Sequence, residues 1–184
     1  RDSGILAVVP PDVIDDLSKN YVAAAIAGTT LDGQLWGIPT EINNFAIVYN
    51  NRILSENGMA PPTTWDALVR SAKALTKRDP DGNLQRAGFA FPTGWPEAVA
   101  HPFLAMLYGE GGRLLAEDRS HSLLGSAAAL AALQRQVRMF EEGATDIAAS
   151  AWSFATGGVA MIIIAPWYKQ PLRTAMGEAY ADAA

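Results

Sequence analysis

Residues 159–165 are apolar without interruption, and Ile162, Ile163 and Ile164 stand in succession. Gly157 and Gly158 precede this run and Pro166 ends it. A bilayer span needs roughly 20 apolar residues, so the run cannot cross a membrane. Short, rich in isoleucine and bounded by turn residues, it reads as a strand. A strand with no polar face must be covered on both sides. That requirement constrains the chain most: helices must flank a sheet.

The rest of the chain supplies them without an internal repeat, so the fold class is α/β. Pro11 with Asp12 and Asp15 predicts a short helix, while the small apolar stretch 21–27 is ambiguous. Asp32-Gly33 between Thr30-Leu31 and Gln34-Leu35 predicts a tight hairpin. Phe45-Ala46-Ile47-Val48-Tyr49 predicts a second apolar strand, covered on both faces. Thr63-Thr64-Trp65-Asp66 opens a helix with a capping-box pattern. Trp65, Leu68, Ala72 and Leu75 share its inner face, and Arg70, Lys73, Lys77 and Arg78 point elsewhere. A turn over 79–83 and a short strand over 88–91 follow. Pro102 begins the helix that Gly109 ends. Ser126 caps another, with Leu130, Leu133, Val137 and Phe140 as its buried stripe and Gly143 as its stop. A last short helix is expected over 150–156.

Composition removes whole classes of chemistry. The 184 residues carry 14 Lys and Arg against 19 Asp and Glu, a formal charge of -5, which argues against a partner made of phosphate backbone. With 49% hydrophobic and 18% charged residues the chain can bury a core, so wholesale disorder is excluded. No cysteine is present, which removes disulfides, thiolate nucleophiles and cysteine-held metals. His101 and His121 are too far apart in sequence for a helical zinc pair, and Asp79, Asp81 and Asn83 lack the spacing of a calcium loop. Gly109-Glu110-Gly111-Gly112 ends a helix, whereas phosphate loops begin one. No Gly-x-Ser-x-Gly elbow exists. Glu41 and Glu97 could be drawn as a glycosidase pair, but surface acids are the plainer reading. No catalytic residue, metal or cofactor is expected.

The tryptophans are more informative. Trp167 follows the apolar strand directly, where an α/β sheet places its ligand crevice. Trp95 sits in the irregular loop Pro92-Thr93-Gly94-Trp95-Pro96. An aromatic face open to a crevice can cover the apolar patch of a sugar ring. Trp36 and Trp65 lie in periodic segments and read as core.

The order of motifs resembles a known family. Gly33-Gln34-Leu35-Trp36-Gly37-Ile38-Pro39, then Val48-Tyr49-Asn50, then Asn57-Gly58-Met59-Ala60-Pro61-Pro62-Thr63-Thr64-Trp65-Asp66 resembles family 1 extracellular solute-binding proteins, the maltose-binding-protein-like receptors of ABC importers. Gly88-Phe89-Ala90, Gly111-Gly112, Phe154-Ala155-Thr156-Gly157-Gly158-Val159-Ala160-Met161 and Ala165-Pro166-Trp167 extend the match. Asp66 stands where the family usually has Glu, Gly158 where Lys is common and Ala165 where Gly is common.

The resemblance implies a type II periplasmic-binding-protein fold of two α/β lobes, here a fragment with one lobe largely present and the other mostly missing. Residues 1–42 would be the remnant of the first lobe, ending at a crossing near Glu41 to Asn44. Residues 43–184 would be most of the second lobe, with further family segments expected before Arg1 and after Ala184. Carried over by position, the ligand-binding set is Asn43, Trp167, Trp95, His101 and Glu41. The implied function is capture of a mono- or oligosaccharide for an ABC importer. The implied partners are a carbohydrate and permease subunits, without nucleic acid and with self-association of the isolated chain. The implied location is periplasmic or extracellular, with a surface lipid anchor as one form and the export signal outside the chain. Alternatives are a glycosidase-like enzyme and a non-transport sensor or interaction relative.

Overall fold

A computed structural model describes residues 4–94, 98 and 100–178. The chain divides into two compact units, Arg1–Asn44 and Phe45–Ala184. In the first, α1 (Pro11–Asn20) starts at a proline and carries Asp12 in its first turn. The ambiguous small-residue stretch forms α2 (Ala23–Thr29), consistent with the helix preference of its alanines. The hairpin pairs β1 (Thr30–Leu31) with β2 (Gln34–Leu35), and Asp32 and Gly33 both take positive φ, as the predicted turn requires. Val9, Leu17 and Leu35 form this unit's small core against Val13, Ile14 and Ile26. Trp36 lies outside that cluster, half-buried, and its indole N–H donates to the Leu31 carbonyl at 3.3 Å. The expectation of a core Trp36 fails because the hairpin is too short to cover it.

The second unit is a four-stranded mixed sheet in the order β3-β6-β5-β4. Its members are β3 (Ala46–Tyr49), β4 (Lys77–Arg78), β5 (Leu84–Ala90) and β6 (Val159–Ile164). The apolar run is the buried β6, parallel to β5 and antiparallel to β3. Met161 and Ile163 enter one apolar cluster with Leu54, Leu68, Leu75, Phe89, Met106 and Leu107. Ile162 and Ile164 enter the other, with Phe154, Tyr168 and Leu172. Both faces of β6 are covered, as its sequence demanded. By contrast β3 is paired on one side only among the described residues, and its residues are half-buried or exposed. Its apolar side chains still meet clusters on both faces, Ile47 and Tyr49 on one and Val48 on the other, but each is only partly buried.

Among the described residues this unit also holds α3 (Asn51–Glu56), α4 (Trp65–Leu75), α5 (Ala100–Gly109), α6 (Ala127–Glu141), α7 (Lys169–Met176) and 3-10 turns at Ala151–Phe154 and Pro166–Tyr168. Thr64 caps α4 by accepting from the Ala67 N–H at 3.1 Å. Asp66 instead bonds Arg138 of α6 at 2.7 Å, so the reciprocal half of a capping box is not formed. The helix stops at Leu75, and Lys77 and Arg78 form β4 rather than a last helical turn. Thr76 forces that change: its hydroxyl donates to the Ala72 carbonyl at 2.9 Å and accepts from the Gly88 N–H at 3.0 Å.

The largest departure from expectation is the rotation of α6. Leu130, Leu133, Val137 and Phe140 are exposed, whereas Ala129, Ala132 and Met139 are buried. Small side chains let the helix approach closely: a Cβ on Gly112 would lie 2.7 Å from the Ala128 Cβ. Two arginines fix the rotation, Arg135 bonding Glu110 at the end of α5 and Arg138 bonding Asp66. The alanine face packs inward and the larger row is left outside.

Candidate functional site

The parallel strands β5 and β6 bring their carboxyl ends to one edge of the sheet, the place where α/β folds hold ligands. Thr93 and Gly94 follow β5 there, and Pro166–Tyr168 follows β6 as a 3-10 turn. Because β3 runs antiparallel to β6, with Ala46 opposite Ile164, its entry at Phe45 reaches the same end.

An aromatic group occupies this end. Tyr168 is buried, and burial raises its hydroxyl pKa above the ordinary value. Its ring stands edge-on to Trp152 at 5.6 Å and to Trp167 at 5.8 Å. The two indoles are 6.4 Å apart between centroids, tilted by 41°, and each is 43% exposed. Trp152 donates its N–H to the Thr93 carbonyl at 3.1 Å, tying the turn before β6 to the loop after β5. The absent family lysine has a local reason. A Cβ on Gly158 would lie 2.8 Å from the Ser153 hydroxyl, so glycine lets the Trp152-bearing turn pack against the strand entry.

Of the residues named from sequence, Trp167 lies in this group. His101 stands in the first turn of α5, half-buried, with its ring 4.2 Å from that of Phe45 at the same end of the sheet. Trp95 and Glu97 lie outside the described residues. Glu41 and Asn43 are exposed in the irregular segment that ends the first unit. Sequence reasoning overlooked Trp152 and Tyr168. Ala151 and Phe154 are buried and Trp152 between them is turned outward, a pattern too short for sequence periodicity to reveal.

Other chemistry is not assembled here. Among the described residues no group of three or more His, Asp or Glu is placed to hold a metal ion. Asp79 serves its turn instead: its carboxylate accepts from the Asp81 and Asn83 N–H groups and from the Asn83 and Gln85 side-chain amides. These bonds, led by the Asn83 side chain, hold its pKa below the ordinary value.

The family described as bacterial extracellular solute-binding protein matches residues 1–183. The chain belongs to that family. The GacH receptor of Streptomyces glaucescens, solved unliganded and with acarbose, is 25% identical and superposes with a TM-score of 0.74 over 99% of this chain and 46% of its own. A solute-binding protein of Thermotoga lettingae bound with α-D-tagatose is 22% identical, with a TM-score of 0.79 over 95% of this chain and 46% of its own. A Brucella abortus relative is 23% identical over 167 residues, 86% of this chain and 39% of that one. The chain thus spans less than half the length of these solute-binding relatives. The mixed α/β architecture of this family is the one expected from the sequence, and the members named are binding proteins rather than enzymes.

Proposed function

We propose that the protein captures a carbohydrate outside the cytoplasm and delivers it to the permease subunits of an ABC importer. The observation that carries this reading is the half-exposed face of Trp167, held by a buried tyrosine at the carboxyl end of the sheet. A large apolar ring kept in water yet fixed in place suits the apolar face of a sugar. Family membership supports it, as do the acarbose and α-D-tagatose held by the two solved relatives. In this reading Asn43, Glu41, His101 and Trp95 supply further ligand contacts, the polar ones to hydroxyls. Residues 1–42 belong to one lobe and 43–184 to the other. Ligand acts through a higher affinity for the closed receptor than for the open one, and the importer reads the closed form. The family's location supports a periplasmic or surface site, lipid-anchored or free. The exposed row on α6 and the edge of β3 support self-association of the isolated chain.

A tryptophan fluorescence titration of the complete gene product against mono- and oligosaccharides tests the reading, with a parallel assay for products. Saturable quenching or enhancement with the sugar recovered intact is expected. No response to any carbohydrate, or steady turnover of one, would overturn it.

A further inference from the structure

A cavity of about 330 Å³ lies between the end of α5 and the hairpin that follows it, and its lining includes Tyr108, Arg113, Leu114, Leu115, Glu117 and Arg119. None of these residues belongs to the carbohydrate reading. Tyr108 stands two turns along α5 from His101, about 10 Å further along the helix axis.

The hairpin is closed by the bridge between Leu115 and Ser122 and by the Ala116 N–H, which donates to the His121 carbonyl at 3.0 Å. Within it the Arg119 N–H donates to the Ala116 carbonyl at 2.9 Å, and Arg119 takes a φ of 59°. That left-handed conformation favours glycine and is uncommon for a residue with a long side chain. The turn alone would be better served by glycine, so the strain held at Arg119 points to a use for its side chain. That side chain lines the cavity. The opposite requirement, an apolar surface, is also met. Tyr108 and Leu115 line the same cavity yet remain 56% and 43% exposed. Large apolar groups left in water around a concave surface suit the apolar body of a ligand. The charges set the rest: two guanidiniums stand with one carboxylate, an excess of one positive charge in a chain whose formal charge is -5. A guanidinium fork matches a carboxylate in shape and charge. Ligand pockets run from about 300 to 1,000 Å³, so this one holds a small molecule rather than a peptide.

We propose that the cavity is a second ligand site, for a small organic monoanion: a carboxylate carried on an aromatic or branched aliphatic body. Arg113 and Arg119 bind the carboxylate, and Tyr108, Leu114 and Leu115 cover the body. The site shares no residue with the carbohydrate reading and does not depend on it.

The test is calorimetric titration of the complete gene product with phenylacetate, with phenylacetamide as the neutral analogue and acetate as the charge without a body. Phenylacetate should saturate with a millimolar or lower Kd, and the other two should bind at least tenfold more weakly. Arg113→Gln and Arg119→Gly should each weaken phenylacetate at least fivefold. Arg119→Gly should nevertheless melt no lower than the wild type, because glycine accepts the positive φ. Tyr108→Ala should weaken binding as well, and Trp167→Ala should leave it unchanged. Arg119→Gly decides the case if another variant is unfolded. Failure of phenylacetate to saturate, equal binding of phenylacetamide, or full affinity in Arg119→Gly would overturn the proposal. So would a loss in Trp167→Ala, which would put the acid on the aromatic group at the end of the sheet.

Discussion

At the scale of single residues, Asp146 and Asp79 tie stability to pH. The Asp146 carboxylate accepts from the Ala148 N–H at 2.8 Å and pairs with Arg78, and these two bonds hold its pKa below 3.8. Asp79 is lowered by its turn. A carboxyl whose folded pKa is depressed contributes stability that is present above its unfolded value and lost as pH falls through the folded one. The melting temperature should therefore drop as pH falls below about 4, and Asp146→Asn should show a shallower drop than wild type. Equal slopes for the two proteins would contradict this role. Residue identity also decided how much of the site was legible. Trp167 stood out because Pro166 and a fully apolar strand precede it. Trp152 did not, because exposure within a single 3-10 turn follows from which neighbours the core takes up, and no periodicity spans so few residues.

At the scale of elements, local chemistry announced most boundaries. Thr64 and Ser126 cap their helices, accepting from the Ala67 and Ala129 N–H groups at 3.1 and 3.3 Å. Thr64→Ala should cost about 1 kcal/mol in a denaturant titration. The contact between α4 and β5 is more exacting. A Cβ on Gly88 would lie 1.7 Å from the Ala72 carbonyl oxygen, so the helix would have to lift from the sheet. Gly88→Ala should therefore destabilise by about 3 kcal/mol, at the upper end of overpacking costs. A loss no larger than that of the cap variant would show that the interface yields easily. The face of α6 was the element-scale property the sequence left undecided. Its apolar residues form two rows, and hydrophobic spacing favours the larger. The smaller row is buried because close approach near Gly112 and the bonds of Arg135 and Arg138 depend on partners distant in sequence.

At the scale of the whole molecule, the two units differ in what holds them together. The core of Arg1–Asn44 rests on three buried side chains, Val9, Leu17 and Leu35, whereas Phe45–Ala184 builds apolar clusters on both faces of its sheet. Exposed Leu130, Leu133, Val137 and Phe140 form a row with the 3-4-3 spacing of a helix-pairing seam. The isolated 184-residue chain should therefore self-associate in light scattering, and Leu130→Glu with Leu133→Glu should reduce the association. A wild-type chain that stays monomeric as concentration rises would contradict the expectation. The α/β class was legible because β6 admits no other environment. The junction after Asn44 carries no local turn signal, and only the family resemblance put a crossing near Glu41 to Asn44. The central claim concerns one ring: the indole of Trp167 is the surface on which a carbohydrate rests. Calorimetric titration of the complete gene product with maltotriose, wild type against Trp167→Ala, tests it most directly. The account predicts a loss of about 2 kcal/mol, close to thirtyfold in Kd, with the fold intact by circular dichroism. Equal affinity in a folded variant would contradict it.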